Sequence, residues 1–273
     1  MTTRKSSRRR RNTSVAALIA AVLSALFYQW QSSRQAESPT SDAAQSVSKE
    51  RRSSESFDFY LMAYSLHPAF CEDGNARRKD CAAWTAADNE RRPIVIHGLW
   101  PENDRPGSYP RDCAGPRLDL PRELRTELGE WMPGTASGLH SHEWRKHGTC
   151  SGLDAPLYYR LSIDLVKDVN AAVGAVLRAN AERRITAVGL RAAANTFRPG
   201  YGDTLTFHCR NVKSSDPAKR GRPYLYEIRQ CIDNDGAGGA PAPFGPARLP
   251  PLVRLVRLLP QERRNVVAIA AAV

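Results

Sequence analysis

One long apolar run, VAALIAAVLSALFYQW (15–30), sets the conditions under which the rest of this chain folds. It follows a basic segment with arginines at positions 8–11, which is the arrangement of an export signal. The run is long for the apolar part of a cleaved signal and short for a spanning helix, which needs about 20 residues. Residues 1–36 are therefore predicted to be a signal peptide or an N-terminal anchor that tethers the protein to a membrane. No second run of this kind exists in the sequence, so a polytopic membrane protein is excluded.

The six cysteines fit an exported chain. An even number in an oxidising compartment predicts a disulfide framework, although the residues alone leave the pairing open. The Cys-X-X-Cys spacing of a structural zinc site does not occur, so we predict no metal at the cysteines. We expect a periplasmic or extracellular protein with disulfides among Cys71, Cys81, Cys113, Cys150, Cys209 and Cys231.

Charge is unevenly distributed along the chain. The formal net charge is +12, yet residues 54–235 contain 25 basic and 24 acidic side chains, so the excess lies at the ends. Residues 37–55 are rich in Ser, Gln and charge, which predicts a disordered linker. Residues 56–235 are long and apolar enough for one folded domain. Residues 236–273 form a Pro-rich basic C-terminal extension of unknown role, either a membrane-surface segment or a tail packed at an edge.

Within the folded domain, helical patterns occupy the middle and strand patterns lie on both sides. This order predicts an α+β fold with a central antiparallel β-sheet packed with several α-helices. The run IVIHGLW indicates a short strand that ends at a glycine turn, which would place His97 at the end of that strand. The predicted strands are FDFYLMAYS, IVIHGLW, TLTFHCRN and YLYEIRQC, and the predicted helices start near residue 120, carry HEWRKHG, start near residue 156 and cover ITAVGLRAAANT.

The segment with the most chemistry is HEWRKHGTC (142–150). A helix turning about 100° per residue places four polar side chains within about 140° of one another, namely His142, Glu143, Lys146 and His147. Trp144 points away from them and can enter the core. Zinc proteases use histidines four residues apart, whereas the spacing here is five and Lys146 adds positive charge, so we predict no metal and no cofactor. A metal-dependent hydrolase that uses this segment is the alternative.

A second polar segment, HGLWPEN (97–103), adds His97 and the rigid aromatic surface of Trp100. Cleavage of RNA suits the combined set, because the substrate supplies its own nucleophile, the 2′-hydroxyl. The enzyme then needs a base, an acid and fixed positive charge near the phosphorus. Histidine suits both proton roles, since its ordinary pKa is about 6.5. DNA lacks the 2′-hydroxyl, and we expect it not to be cleaved.

The two segments, in this order, resemble the two active-site boxes of the T2 ribonuclease family. The likeness extends over most of residues 57–233, including LHPAFC before the first box and MPGTASGL before the second. It implies a metal-independent endoribonuclease that cleaves single-stranded RNA to 2′,3′-cyclic phosphates and then hydrolyses these to 3′-phosphates. It also implies that residues 56–235 are the catalytic domain, and we expect a monomer. A non-catalytic RNA-binding or membrane-active protein on the same scaffold is the other alternative.

The resemblance implies roles for the residues of both boxes. His97 would be the general acid that protonates the leaving 5′-oxygen, and His147 the base that takes the 2′-hydroxyl proton. His142 would hold the phosphate, while Glu143 and Lys146 would stabilise the pentacovalent state.

The resemblance also suggests where the base binds and how the cysteines pair. Trp100 and Tyr109 would stack on the base 5′ of the cut, and because stacking tolerates every base, broad specificity is expected. Glu102 stands where many members have Asp, so the base preference stays open. The family's disulfides suggest Cys113–Cys150 and Cys209–Cys231, leaving Cys71–Cys81 as a local pair. A nearly neutral domain further predicts a short cleft with few phosphate contacts.

Overall fold

The computed structural model describes residues 57–105 and 107–234, and the backbone of residues 266 and 267. The apolar N-terminal run, the predicted linker and most of the C-terminal extension lie outside these residues. The strands are β1 (Phe59–Leu66), β2 (Ile94–Glu102), β3 (Arg184–Ile185), β4 (Leu205–Asn211), β5 (Pro223–Asp233) and β6 (Val266–Val267). The four longer strands form an antiparallel sheet in the order β2–β1–β5–β4. The short strands β6 and β3 continue the sheet beyond β5.

Helices fill the connections between these strands. The α-helices are α1 (His67–Phe70), α2 (Lys79–Ala82), α3 (Ala86–Arg91), α4 (Arg122–Trp131), α5 (Leu139–Lys146), α6 (Ala155–Val169), α7 (Ala175–Ala179) and α8 (Ala187–Phe197). Shorter turns of 3₁₀ or π type are Cys71–Asn75, Pro133–Ser137, Gly148–Cys150, Asn170–Gly174 and Tyr201–Thr204. The α+β prediction is confirmed.

The longest helix, α6, starts where the sequence contains both a cap and a proline. The Asp154 carboxylate accepts a hydrogen bond from the Leu157 N–H at 2.7 Å, and Pro156 lies in the first turn. Its apolar face, which includes Tyr158 and Ile163, packs against β1 and β2, and α4 packs against α6. One face of the sheet is therefore buried in the core.

The two faces of β1 differ in the size of their side chains. Met62, Tyr64 and Leu66 point into the core and are fully buried. Ala63 and Ser65, which alternate with them, lie on the opposite face. Because these two side chains are small and β1 lies between β2 and β5, side chains of β2 and β5 can contact each other above β1.

His97 lies in the middle of β2, at a β-bulge. Consecutive residues of β1 pair with Ile96 and with Gly98, which leaves His97 as the extra residue. In a regular strand, residues three apart face opposite sides. The extra residue brings His97 and Trp100 to the same side, with their ring centroids 5.1 Å apart. The prediction that the strand ends at Gly98 is therefore wrong, since β2 continues to Glu102.

Two disulfides join the cysteines of the first three-fifths of the domain. The bonds are Cys71–Cys81 and Cys113–Cys150, with S–S distances of 2.08 and 2.10 Å. The second bond connects the loop after β2 to the end of the 3₁₀ turn that follows α5.

The predicted pairing of Cys209 with Cys231 is wrong. The β4–β5 register places Cys209 opposite Leu225, six residues before Cys231 on the same strand. At the rise of a β-strand this separates the two cysteines by roughly 20 Å, whereas a disulfide requires Cα atoms within about 7 Å. Cys231 instead packs with Phe59 and Leu61 on the face of the sheet opposite the main core.

None of the helices among the described residues combines the length and the hydrophobicity needed to cross a membrane. The predicted N-terminal anchor lies outside those residues, and its structure is not described.

Candidate active site

His97 reaches across β1 to a carboxylate on β5. Its Nδ1 lies 2.9 Å from Oε2 of Glu227, and the contact passes above Ala63 and Ser65. Adjacent strands are about 4.8 Å apart, so two strands separated by a third can share such a contact only where the middle side chains are small. With Nδ1 bound to Glu227, Nε2 of His97 is the nitrogen left to act on a substrate.

Glu227 is itself held by Arg229, two residues further along β5. The Arg229 Nε lies 2.5 Å from Oε1 of Glu227, and its guanidinium stacks 5.6 Å from the ring centroid of Trp100. Burial alone would raise the pKa of Glu227, but the His97 bond and the Arg229 charge lower it to about 2. Burial alone would lower the pKa of His97, but the bond and charge of Glu227 raise it above 6.5. Glu227 therefore keeps its charge and favours a protonated His97.

Helix α5 carries the second box and is anchored by Trp144. This side chain is buried against Tyr158, and its indole N–H donates to the Pro116 carbonyl at 2.9 Å. Gly148 is required next to it, because a Cβ there would lie 2.2 Å from the Trp144 ring. The prediction that Trp144 points away from the polar side chains of the helix and enters the core is confirmed.

Glu143 connects α5 to β2 through Trp100. The Trp100 indole N–H donates to Oε2 of Glu143 at 2.8 Å. Glu143 is only 3% exposed, and burial raises the pKa of its carboxyl above the ordinary 4.5 despite that bond. Gly98 leaves room for the pair, since a Cβ at that position would lie 2.1 Å from the Glu143 oxygen and 2.5 Å from the Trp100 nitrogen. The absence of a side chain at Gly98 thus allows the hydrogen bond that connects the two boxes.

His147 lies just past the end of α5 in surroundings unlike those of His97. Its side chain is buried, and its ring centroid is 5.5 Å from that of Trp100 and 6.2 Å from that of Tyr109. Burial, followed by the positive charges of Lys146 and His142, lowers its pKa to about 3. No side-chain or backbone group among the described residues hydrogen-bonds its Nδ1. His147 is therefore neutral over most of the pH range.

His142 and Lys146 place positive charge at the open side of this group. His142 is exposed and Lys146 half-buried, and both charges act on Glu143 and His147. The backbone of Lys146 also accepts a hydrogen bond from the Asp112 N–H at 2.8 Å, which fixes the loop that carries Tyr109. The structure thus gathers the other six predicted site residues of the two boxes and the adjoining loop near Trp100.

Two further charged residues of the site, Glu227 and Arg229, escaped the sequence analysis. Both belong to the predicted strand YLYEIRQC, more than 120 residues after the first box. The signal that could have found them is their spacing, because residues two apart on a strand lie on the same face. An acidic and a basic side chain together on one face of a strand whose other face is buried and apolar are unusual. Nothing in that spacing indicates that His97 lies opposite.

The remaining histidines lie apart from this centre. His67 is buried, with Nε2 3.3 Å from the Asp80 carbonyl oxygen. Burial lowers the pKa of His140, whose backbone carbonyl accepts a hydrogen bond from Tyr159. His208 is half-buried and lines the cavity beside His97.

One group of metal-ligating side chains gathers within the described part of the chain, and it is not in this site. His67, Cys71 and Cys81 bring one nitrogen and two sulfurs within 4.8 Å of one another. Both sulfurs belong to the Cys71–Cys81 disulfide, and a bonded sulfur cannot act as a thiolate ligand.

Burial also affects Glu102, at the end of β2. It raises the pKa of this carboxyl to about 7, while the nearby charge of Arg229 opposes the shift. Glu102 therefore titrates near neutral pH.

An α+β fold that places two histidines, a carboxylate and a lysine around one indole is suited to hydrolysis or phosphoryl transfer. The model of the ribonuclease T2 family matches residues 57–238 of this chain. Ribonuclease 1 of Arabidopsis thaliana is 28% identical over 215 residues, covering 74% of this chain and 86% of that protein. A ribonuclease of Aeromonas hydrophila is 33% identical over 184 residues, covering 66% and 74%.

Solved structures agree on the fold. RNase MC1 from the seeds of bitter gourd superposes with a TM-score of 0.51 at 21% identity, covering 69% of this chain and 100% of that one. RNase NT in complex with 5′-AMP gives a TM-score of 0.51 at 21% identity, covering 70% and 99%. The chain belongs to the ribonuclease T2 family and is an RNA-cleaving enzyme.

Proposed function

We propose that the protein is a metal-independent endoribonuclease that cleaves single-stranded RNA by transphosphorylation. The observation that carries this proposal is the position of two histidines against the ring of Trp100, one bonded to a carboxylate and the other buried beside Lys146. The pKa of His97 is raised and that of His147 is lowered to about 3. Two titratable groups whose surroundings separate their pKa values in this way can act together as acid and base at one pH.

In the proposed first step, neutral His147 takes the proton of the 2′-hydroxyl. The 2′-oxygen attacks the adjacent phosphorus, and the bond from phosphorus to the 5′-oxygen breaks. Protonated His97 gives its proton to that leaving oxygen, which yields a 2′,3′-cyclic phosphate and a free 5′-hydroxyl. In the second step the roles are exchanged. His97 takes a proton from water, the water oxygen attacks the phosphorus, the bond from phosphorus to the 2′-oxygen breaks, and His147 gives its proton to that oxygen, leaving a 3′-phosphate.

Charge near the phosphorus would come from the rest of the second box. We propose that His142 and Lys146 hold the phosphate oxygens, because both are accessible and both lie near Glu143 and His147. Glu143 lowers the energy of the pentacovalent state with Lys146. Trp100 and Tyr109, whose rings flank His147, stack on the base 5′ of the cut.

Metal-dependent hydrolysis by the HEWRKH segment is less well supported by the geometry. The Glu143 oxygen that would face a metal accepts the Trp100 hydrogen bond, and Lys146 places a like charge beside the histidines. The two histidines also lie five residues apart, at the start and just past the end of the polar face of α5.

The test is digestion of matched single-stranded RNA and DNA by the full-length protein, with and without excess EDTA. We expect RNA cleavage that EDTA does not affect, early products with a 2′,3′-cyclic phosphate, late products with a 3′-phosphate, and intact DNA. Activity lost in EDTA and restored by zinc would establish the metal-dependent alternative. RNA that is bound but never cut would establish the non-catalytic one.

We also propose that the protein is exported and works as a monomer, in the periplasm or outside the cell, with residues 1–36 as a signal or a membrane tether. The two disulfides support an oxidising compartment. Names of relatives do not decide the matter, since tomato has both an extracellular ribonuclease LE and an intracellular ribonuclease LX among them. Cell fractionation tests export: protein retained in membranes indicates a tether, and shortened soluble protein outside the cytoplasm indicates cleavage.

A further inference from the structure

A second cavity, of about 1060 Å³, lies beyond the active site and contains none of its residues. One wall is the segment around the Cys71–Cys81 disulfide, and the other is the chain that follows β4, residues 211–215, with Arg220 and Gly221. Its volume is large enough for part of a nucleotide chain.

The charge of this cavity is strongly positive. Three cationic side chains line it, Arg77, Lys213 and Arg220, and all three are exposed. No carboxylate among the described residues forms an ion pair with any of them. The carboxylate that does line the cavity, Glu72, is bound by the Ser214 hydroxyl and by Lys219, whose Nζ lies 3.2 Å away. Three positive charges are therefore left to meet an anion.

This cluster was hidden by the average charge of the domain. Residues 210–222 contain five basic side chains and one acidic one, and residues 77–79 are all basic. The nearly equal totals for residues 54–235 come from acidic side chains elsewhere in the domain. A neutral sum therefore does not exclude a local site for phosphates.

The walls of the cavity are held in place rather than loose. The Arg220 Nε donates to the Ser214 carbonyl at 2.9 Å. The backbone N–H of Lys213 donates to Oδ1 of Asp73 at 2.8 Å, and the other oxygen of this buried carboxylate lies 3.2 Å from Nε of Arg210. Binding an anion here needs little ordering of the backbone.

The cavity adjoins the His97 side of the active site. A cavity of about 630 Å³ contains His97 and is lined by Arg78 and Arg210. Each of these arginines is next in sequence to a residue that lines the second cavity. Asp73 joins Arg210 of the His97 cavity to Lys213 of the second cavity. His208 lies opposite Glu227, the residue that binds His97. Lys213 follows His208 by five residues, which places it roughly 15 Å from this part of the active site.

We propose that Arg77, Lys213 and Arg220 form an accessory site for backbone phosphates of the RNA on the 3′ side of the cut. This inference rests on the proposed role of His97 as the acid, because the chain that carries the leaving 5′-oxygen must extend from the His97 side. The site strengthens binding of long substrates and has no effect on a dinucleotide, which does not reach it. Phosphate contacts position the chain and do not select a sequence.

The test uses the full-length protein with Arg77→Gln and Lys213→Gln combined, since Arg220 also supports the backbone of its loop. The probes carry 2′-fluoro in place of every 2′-hydroxyl, so that they bind without being cut at any position. Only two adjacent nucleotides of each probe carry bases, so that base stacking fixes which linkage lies in the active site. One RNA is extended on the 3′ side, one on the 5′ side, and the third is a dinucleotide. Affinity is measured over a range of salt concentrations. The matched control is Arg122→Gln with Arg160→Gln, two exposed residues that line neither cavity.

For the 3′-extended RNA, we expect the slope of log affinity against log salt to become shallower by about 1.4, because each lost phosphate contact removes about 0.7 on a single strand. The other two probes and the control variant should keep the wild-type behaviour. An unchanged slope, an equal loss for the 5′-extended RNA, or an equal loss in the control would overturn the accessory site. Cleavage of the unsubstituted dinucleotide, measured separately, tests the proposed reaction, so the two ideas fail independently.

Discussion

His97 and His147 face the same indole, with ring centroids 5.1 and 5.5 Å from that of Trp100, yet the charges around them differ. His97 lies on a strand and is bonded to Glu227, a carboxylate with a pKa of about 2. His147 lies past a helix end beside Lys146, and its pKa is lowered to about 3. The difference teaches that identical imidazoles at similar distances from one aromatic ring acquire opposite pKa shifts: a carboxylate offsets burial at His97, whereas burial and positive charge act together at His147.

Removing the imidazole ring of either histidine has the largest expected effect on activity. For His97→Ala and for His147→Ala we expect kcat to fall by about 10³-fold, because each variant loses one proton-transfer group. Initial rates on single-stranded RNA measure this. His140→Ala in α5 is the control, and its kcat should stay within a few-fold of the wild-type value. Full activity in either site variant would contradict the assigned roles.

Gly98→Ala tests the wall that the two histidines share. The new Cβ would collide with Glu143 and Trp100, so the hydrogen bond between them must break or the strand must move. We expect a loss of about 1–3 kcal/mol in the free energy of unfolding and at least a tenfold loss of kcat/KM.

Denaturant unfolding and steady-state kinetics measure these effects. Gly129→Ala in α4 is the matched control, because its nearest contact would be an ordinary 3.7 Å and alanine favours a helix. A Gly98→Ala protein as stable and as active as the wild type would mean that the Trp100–Glu143 bond is dispensable.

Glu227→Gln makes the surroundings of His97 more like those of His147. Glutamine keeps a hydrogen-bond acceptor but removes the charge that raises the pKa of His97. The pKa of His97 should fall, so the alkaline limb of the pH–rate profile moves to lower pH. Above the new pKa the rate should be lower than that of the wild type, whereas at acidic pH, where His97 is protonated in both proteins, it should be unchanged.

The acid limb, which follows His147, should not move in this variant. Glu127→Gln, which removes a surface carboxylate paired with Lys167, is the control and should leave both limbs in place. An equal loss of rate at every pH would indicate that Glu227 only supports the fold and does not position and charge His97.

Arg229→Gln should shift the same limb in the opposite direction and by less. The Arg229 charge lowers the pKa of His97, so its removal should raise that pKa and extend activity to higher pH. A pH–rate profile beside that of Arg160→Gln, an exposed arginine elsewhere, measures the change. A shift to lower pH would show that Arg229 acts mainly by holding Glu227 in place.

Local chemistry made the helical half of the site predictable. A 3.6-residue period places the polar residues of the second box together and sends Trp144 to the core, and both follow from the segment alone. The four longer strands and the helices α4, α5, α6 and α8 were likewise indicated by their apolar patterns and caps, whereas the shorter helices and strands were not.

The other half depends on how distant strands align, which no single segment encodes. Glu227 meets His97 only because β1 lies between their strands and has small residues at Ala63 and Ser65. Strand order and register result from the packing of the whole sheet. The same limitation explains the wrong pairing of Cys209, since its neighbour on β5 is set by that register.

The bulge in β2 makes the number of residues between His97 and Trp100 as important as their identities. Deleting one residue of this stretch would restore strict alternation and turn one ring toward the hydrophobic interior. The other would remain at the surface, and the acid would lose its aromatic neighbour although every active-site side chain was still encoded. This part of the enzyme should therefore accept almost no change in length.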